Sequence, residues 1–189
     1  MTILLSLQSD LGVVSRALLY ASEAHAEIGQ VRKYSGDPYI THPIRVLRIV
    51  QTVNQDPEVH AATLMHDVIE DTKRTKKDII RHFRTRIANL VDEVSDVSTP
   101  QDGNRERRKE IDRLHSAEAS DDGQTIKLAD LLDNGEDIAE KDPKFAPTYL
   151  MEKHMLLLVL NRGDRRLHAR AYEQLRRHSA FYNLQLQVT

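Results

Sequence analysis

No cysteine occurs in the 189 residues, which removes disulfides, thiolate zinc sites and cysteine nucleophiles together. That absence also fits a reducing compartment. Glycine is scarce, at seven residues, and several long amphipathic segments run between the glycines, so an all-α fold is expected. Long apolar runs are missing as well. The longest, Met155 to Leu160, falls far short of the roughly 20 residues needed to cross a bilayer. Met1 to Leu7 is mildly apolar but carries no basic residue and meets Gln8 and Asp10 at once, unlike a secretory signal. Charge of one sign is also lacking: the formal net charge of -2 argues against a general nucleic-acid binder. With no internal repeat and no low-complexity linker, one cytoplasmic domain over 1–189 is expected.

What is present centres on Met65-His66-Asp67-Val68-Ile69-Glu70-Asp71-Thr72. A helix from Ala61 to Asp71 would place Ala61, Leu64, Met65, Val68 and Ile69 on one apolar stripe. The opposite arc then collects His66, Asp67, Glu70 and Asp71. Carboxylates crowded this closely repel one another unless a cation or a substrate sits among them. An acidic, solvated helix end is the competing reading of the same residues.

Along the chain, the periodicity predicts a helix over Leu11 to Ile28, stopped by Gly29-Gln30. Residues 31–43 read as a loop, with Thr41 as a cap and Pro43 in the first turn of a helix ending near Asn54. Further helices are predicted over Thr75 to Phe83, with Ile79, Ile80 and Phe83 inward, and over Arg86 to Val94, with Ile87, Leu90, Val91 and Val94 on one side. Ser98 to Asn104 is a loop, Arg105 to Leu114 a highly charged helix, and Asp121-Asp122-Gly123 a break. Gln124 to Asn134 buries Leu128, Leu131 and Leu132 and leaves Lys127, Asp130 and Asn134 on a polar face. Two closing helices, within about 146–180, are split by Arg162-Gly163-Asp164. The total is roughly eight to ten helices.

Four candidate ligands come from three of these helices: His42, His66 with Asp67, and Asp130. Two imidazoles and two carboxylates suit a first-row divalent cation such as manganese, iron, cobalt or zinc. Taken singly, Asp130 reads equally well as a surface carboxylate paired with Lys127, and His42 as a helix-start histidine contacting backbone.

The segments Ala24-His25, Gly29-Gln30, Arg32-Lys33, Ser35-Gly36, Pro38-Tyr39-Ile40 and His42-Pro43, then His66-Asp67, Glu70-Asp71-Thr72, Lys127-Leu128-Ala129-Asp130 and Asn134, resemble the hydrolase domain of the RelA/SpoT family. That domain is a member of the His-Asp (HD) metal phosphohydrolase superfamily, an all-α helical bundle. The resemblance covers about 18–134 and is similar to stand-alone SpoT homologues of bacteria and metazoa. It implies that His42, His66, Asp67 and Asp130 hold one manganese ion. It further implies that Glu70 and Asp71 act on the attacking water, that Arg32 and Lys33 hold the nucleotide, and that Asn134 lines the nucleoside pocket. The implied reaction removes pyrophosphate from the 3′ position of guanosine tetraphosphate or pentaphosphate.

Two positions depart from the family pattern. Leu131 and Asp133 stand where a basic residue and a His or Tyr are usual, and Gly135-Glu136-Asp137 follows Asn134. An acidic rim there leaves an adenine alarmone, NADPH or a deoxynucleotide open as substrate, and a non-catalytic nucleotide sensor as a further alternative. The cluster Arg105 to Lys109 reads either as a phosphate contact or as a solvated helix face. The tail arginines, from Arg162 to Arg177, lack interleaved aromatics and are assigned to the surface.

Overall fold

A computed structural model describes residues 12–185. Among these, ten α-helices and one short 3-10 turn make up the regular structure. One isolated antiparallel bridge, Val31 to Pro38, stands in place of any strand. The expected all-α class holds. No described helix is long and apolar enough to cross a membrane. The chain forms two compact units, dividing between Ser95 and Asp96.

The first unit contains α1 (Val13–Glu27), α2 (Thr41–Val50), α3 (Pro57–Leu64), α4 (Val68–Asp71), α5 (Lys76–His82) and α6 (Thr85–Val94). The predicted start of α1 at Leu11 lies outside the described residues. Helix α3 is the centre, packed against α1, α2 and α6. Its residues Val59 to Leu64 are all buried, including the polar His60 and Thr63, as befits a helix covered on every side. Pro57 opens it, and the Asp56 carboxylate accepts from the Glu58 backbone N–H at 2.8 Å. Around it, α6 buries Ile87, Leu90, Val91 and Val94, the predicted stripe. In α5, Ile79 is buried but Ile80 is exposed, against expectation; the capping box of Thr75 and Asp78 fixes the helix, and only one apolar side is covered.

The predicted single helix from Ala61 to Asp71 is broken. Helix α3 ends at Leu64, and Met65 to Asp67 form a tight turn before α4. The Met65 N–H bonds to the Ala62 carbonyl at 3.0 Å, a three-residue closure in place of the helical four. The His66 ring takes the Thr63 carbonyl at 2.8 Å, which diverts an acceptor that a continuing helix would use.

The second unit contains α7 (Arg105–Glu118), α8 (Asp121–Lys141), α9 (Ala146–Leu157) and α10 (Arg165–Phe181). The two closing helices fall where expected. Asp121-Asp122-Gly123 is the first turn of α8 and not a break. Ser120 caps that turn, its hydroxyl accepting from the Gly123 N–H at 3.2 Å, and two acids suit the positive end of a helix dipole. Helix α8 also continues through Gly135. A Cβ there would lie 2.7 Å from Lys153 Nζ and closer still to Gln174 Oε1, so glycine leaves room for both polar ends.

Candidate metal centre

The loop between α1 and α2 is a narrow hairpin. Gly29 turns the chain out of α1 at φ 65°, and Gly36 turns it back at φ 75°, both in the left-handed region. Arg32 N–H bonds to the Asp37 carbonyl at 2.9 Å, and Tyr39 N–H to the Gln30 carbonyl at 3.3 Å. Gln30 and Tyr39 therefore form the base of the loop, and Arg32 and Lys33 lie near its tip. The Arg32 guanidinium lies 5.9 Å from the Tyr39 ring centre, and Lys33 Nζ lies 4.9 Å from that of Tyr34. Thr41 does not cap α2 as expected. Its hydroxyl donates back to the Pro38 carbonyl at 2.9 Å, with Ile40 at the capping position. His42 then stands in the first turn of α2, fully buried.

His66 and Asp67 approach His42 from the turn between α3 and α4. Since a carbonyl can only accept, His66 Nδ1 carries the ring proton toward Thr63, and its Nε2 presents a lone pair. That Nε2 lies 3.1 Å from Asp67 Oδ2, and His42 Nε2 lies 3.6 Å from the same oxygen. The three ligand atoms fall within 4.8 Å of one another. Two imidazoles and a carboxylate converging in this way fit a divalent cation of the nitrogen- and oxygen-binding class. Tyr39 Oη donates to the same Asp67 Oδ2 at 2.7 Å, fixing the carboxylate oxygen that faces the two imidazoles.

One turn further on, Asp71 is held by Gln30 Nε2 at 2.8 Å. Burial, reinforced by the nearby Asp67 charge, raises its pKa above the ordinary carboxylate value despite that hydrogen bond. Glu70 is exposed. Behind Gln30, His25 Nδ1 lies 2.6 Å from Gln30 Oε1, and the His25 ring packs on Tyr39 with centroids 4.7 Å apart. Burial lowers the His25 pKa. Spacing alone assigns no role to His25, Gln30 or Tyr39; the signal available was their place in the segments that carry the family resemblance.

In the second unit, Asp130 and Asn134 stand one turn apart on α8, and Asn134 Nδ2 donates to Asp130 Oδ1 at 2.7 Å. Lys127, the alternative partner of Asp130 in the sequence, pairs with Asp96 at 3.3 Å. The acidic stretch after Asn134 is largely neutralised. Glu136 meets Arg177 at 2.8 Å and Gln174 at 2.8 Å, and Asp137 meets Lys141 at 2.7 Å. Leu131 is buried, and its carbonyl accepts from Lys153 Nζ at 3.0 Å. In the charged helix α7, Arg105 is bound to Glu152, Arg107 to Glu110, and Lys109 to Asp96.

An all-α fold with a His, His-Asp cluster defines a class, and the comparison with known families agrees. The HD domain model matches residues 17–154, and the chain belongs to the HD domain family. Within it, the chain is 34% identical over 141 residues to the guanosine-3′,5′-bis(diphosphate) 3′-pyrophosphohydrolase of Xenopus tropicalis, covering 73% of this chain and 76% of that protein. The enzyme of the same description from Vibrio cholerae is 42% identical over 88 residues, 47% of this chain but 12% of that much longer protein. Among solved structures, a metazoan orthologue of SpoT described as hydrolysing ppGpp superposes with a TM-score of 0.77 at 28% identity, covering 88% of this chain and 96% of that one.

Proposed function

We propose that this chain is a metal-dependent 3′-pyrophosphohydrolase of guanosine tetraphosphate and pentaphosphate, releasing pyrophosphate and leaving GDP or GTP. The observation that carries this reading is the approach of His42, His66 and Asp67 within 4.8 Å. Relatedness to a pyrophosphohydrolase of that substrate over 73% of the chain supports it. We assign His42, His66, Asp67 and Asp130 as the ligands of one manganese ion, with iron, zinc or cobalt compatible with the same donors. When bound, such a cation supplies Lewis acidity, lowering the pKa of water and offsetting phosphoryl charge.

The chain's own residues do the rest. Asp71, with Glu70 beside it, takes the proton of the water that attacks the phosphorus next to the 3′ oxygen. Its raised pKa makes it a better base than an ordinary carboxylate while leaving it an acceptor of Gln30. Arg32 presents a planar fork suited to a phosphate, and Lys33 a point charge. Asn134 orients Asp130 and lines the nucleoside pocket. We read both units as one hydrolase domain, since the family match runs through Ser95 and Asp96. The partner is a small nucleotide and not a nucleic acid or membrane, and the compartment is the cytoplasm.

The test is turnover of guanosine tetraphosphate with manganese, beside EDTA and Asp67→Asn controls, with products resolved. GDP and pyrophosphate are expected only with metal and intact Asp67, the variant losing on the order of a thousandfold. Leu131 and Asp133 favour a second reading, another nucleotide as substrate. No turnover with metal still bound would support it, and an adenine alarmone, NADPH and deoxynucleoside monophosphates are the panel to run. Alarmone bound tightly without turnover would make the chain a sensor.

A further inference from the structure

We propose that Gln30 is a positioning residue for Asp71, and that His25 fixes which way Gln30 faces. The inference rests on the assignment of Asp71 as proton acceptor. Its basis is a directional chain of three side chains. Gln30 Nε2 donates to Asp71 Oδ2 at 2.8 Å, and Gln30 Oε1 lies 2.6 Å from His25 Nδ1. An ionised carboxylate only accepts, so the amide must turn its nitrogen to Asp71 and its oxygen to His25. An amide oxygen likewise only accepts, so His25 must carry its proton on Nδ1. Reversing the amide would set oxygen against carboxylate and NH2 against N–H, two repulsions at once. In its Nδ1–H form His25 is therefore a lock on the amide, and being 1% exposed and packed on the Tyr39 ring it has little freedom to turn away.

The geometry ties this lock to the loop. The Gln30 carbonyl accepts from the Tyr39 N–H at 3.3 Å, and the Tyr39 hydroxyl holds Asp67 at 2.7 Å. Two hydrogen-bonded neighbours at the base of one loop thus orient Asp71 and Asp67, the carboxylates assigned to the proton and to the cation. Gln30 touches only the first of them through its side chain, so its loss should disturb the proton transfer and spare cation binding.

Gln30→Met keeps the length and removes both hydrogen bonds. It is expected to lower kcat roughly 10- to 100-fold, the usual loss for an orienting partner, with KM for guanosine tetraphosphate and manganese affinity unchanged. His25→Leu should behave in the same way. His25→Asn, which keeps an N–H at the Nδ1 position, should recover most of the rate. Nitrogen-15 NMR of the metal-free wild-type protein should show His25 as the Nδ1–H tautomer, shifting toward Nε2–H in Gln30→Met. Wild-type kcat in Gln30→Met, joint loss of kcat and metal affinity, or an Nε2–H tautomer in the wild type would each overturn the inference. Should the wild type fail to turn over guanosine tetraphosphate, the functional reading fails, and the tautomer alone decides for or against the lock.

Discussion

Asp67 and Lys153 are both ionisable side chains taken largely out of water, at 16% and 1% exposure, and each sits in a different unit. Their surroundings compensate for that in opposite ways. Around Lys153 the charges and dipoles close on one another. Its ammonium donates to the Leu131 carbonyl and to Gln174, Gln174 donates to Glu136, and Glu136 pairs with Arg177. Around Asp67 metal-ligating atoms converge: His66 Nε2 at 3.1 Å and His42 Nε2 at 3.6 Å, with the Asp71 carboxylate one turn away. The first arrangement is complete in itself and holds helices together. The second gains by gathering a cation. Burial of polar groups is therefore a poor sign of function by itself; whether the charges close is the better one.

The largest effect that separates the two clusters is stabilisation by metal. Manganese at about 100 times its dissociation constant should add roughly 2.7 kcal/mol to the wild-type protein, seen as a rise in Tm. His66→Ala should abolish that rise, because it removes a proposed ligand whose ring direction is already set by Thr63. An undiminished rise in His66→Ala would mean that the cation binds elsewhere, and the comparison would collapse.

That contrast was only half legible in the sequence. His42, His66 and Asp67 could be singled out as ligand types, and the apolar stripe of Ile87, Leu90, Val91 and Val94 read directly as a buried face. The turn at Met65 to Asp67 could not be seen, because it depends on the His66 ring competing for the Thr63 carbonyl, a choice made in three dimensions. Nor could the roles of Gln30 and Tyr39, whose carboxylate partners lie 41 and 28 residues further along the chain. The start of α8 was a different matter. Ser120 followed by two acids is a readable helix start, and the glycine after them obscured it. Glu136 looked like part of an acidic rim because Arg177, which neutralises it, belongs to another helix.

A second, smaller effect tests the closed cluster. Burial lowers the Lys153 pKa from its ordinary 10.5 to about 7. Between these values the unfolded chain binds more protons than the folded one, so stability rises as pH rises through that window. Below about 7 the folded lysine is charged as well, and the full penalty for burying it is present. The rise should amount to roughly 2 kcal/mol between about pH 7 and 9, read from urea unfolding. It should be absent from Lys153→Met, which has nothing to titrate there. Equal pH slopes in both proteins would show that Lys153 is not buried in the charged network described.

The smallest effect is expected at Arg105, where the two kinds of surroundings compete for one residue. If the cluster from Arg105 to Lys109 grips substrate phosphates, Arg105→Ala should raise KM for guanosine tetraphosphate about tenfold, the loss of one charged contact. The structure favours the other outcome. The Arg105 guanidinium makes paired hydrogen bonds to Glu152 at 2.6 and 2.9 Å and lies 5.0 Å from the Phe145 ring centre, so it would have to leave both to reach a phosphate. The Glu152 hydrogen bonds also raise its pKa, as a guanidinium committed to one carboxylate should show. Unchanged KM is therefore expected, with stability lowered by less than about 1 kcal/mol in thermal unfolding. The loss stays small because the side chain is 48% exposed, and water screens a half-exposed ion pair however good its geometry.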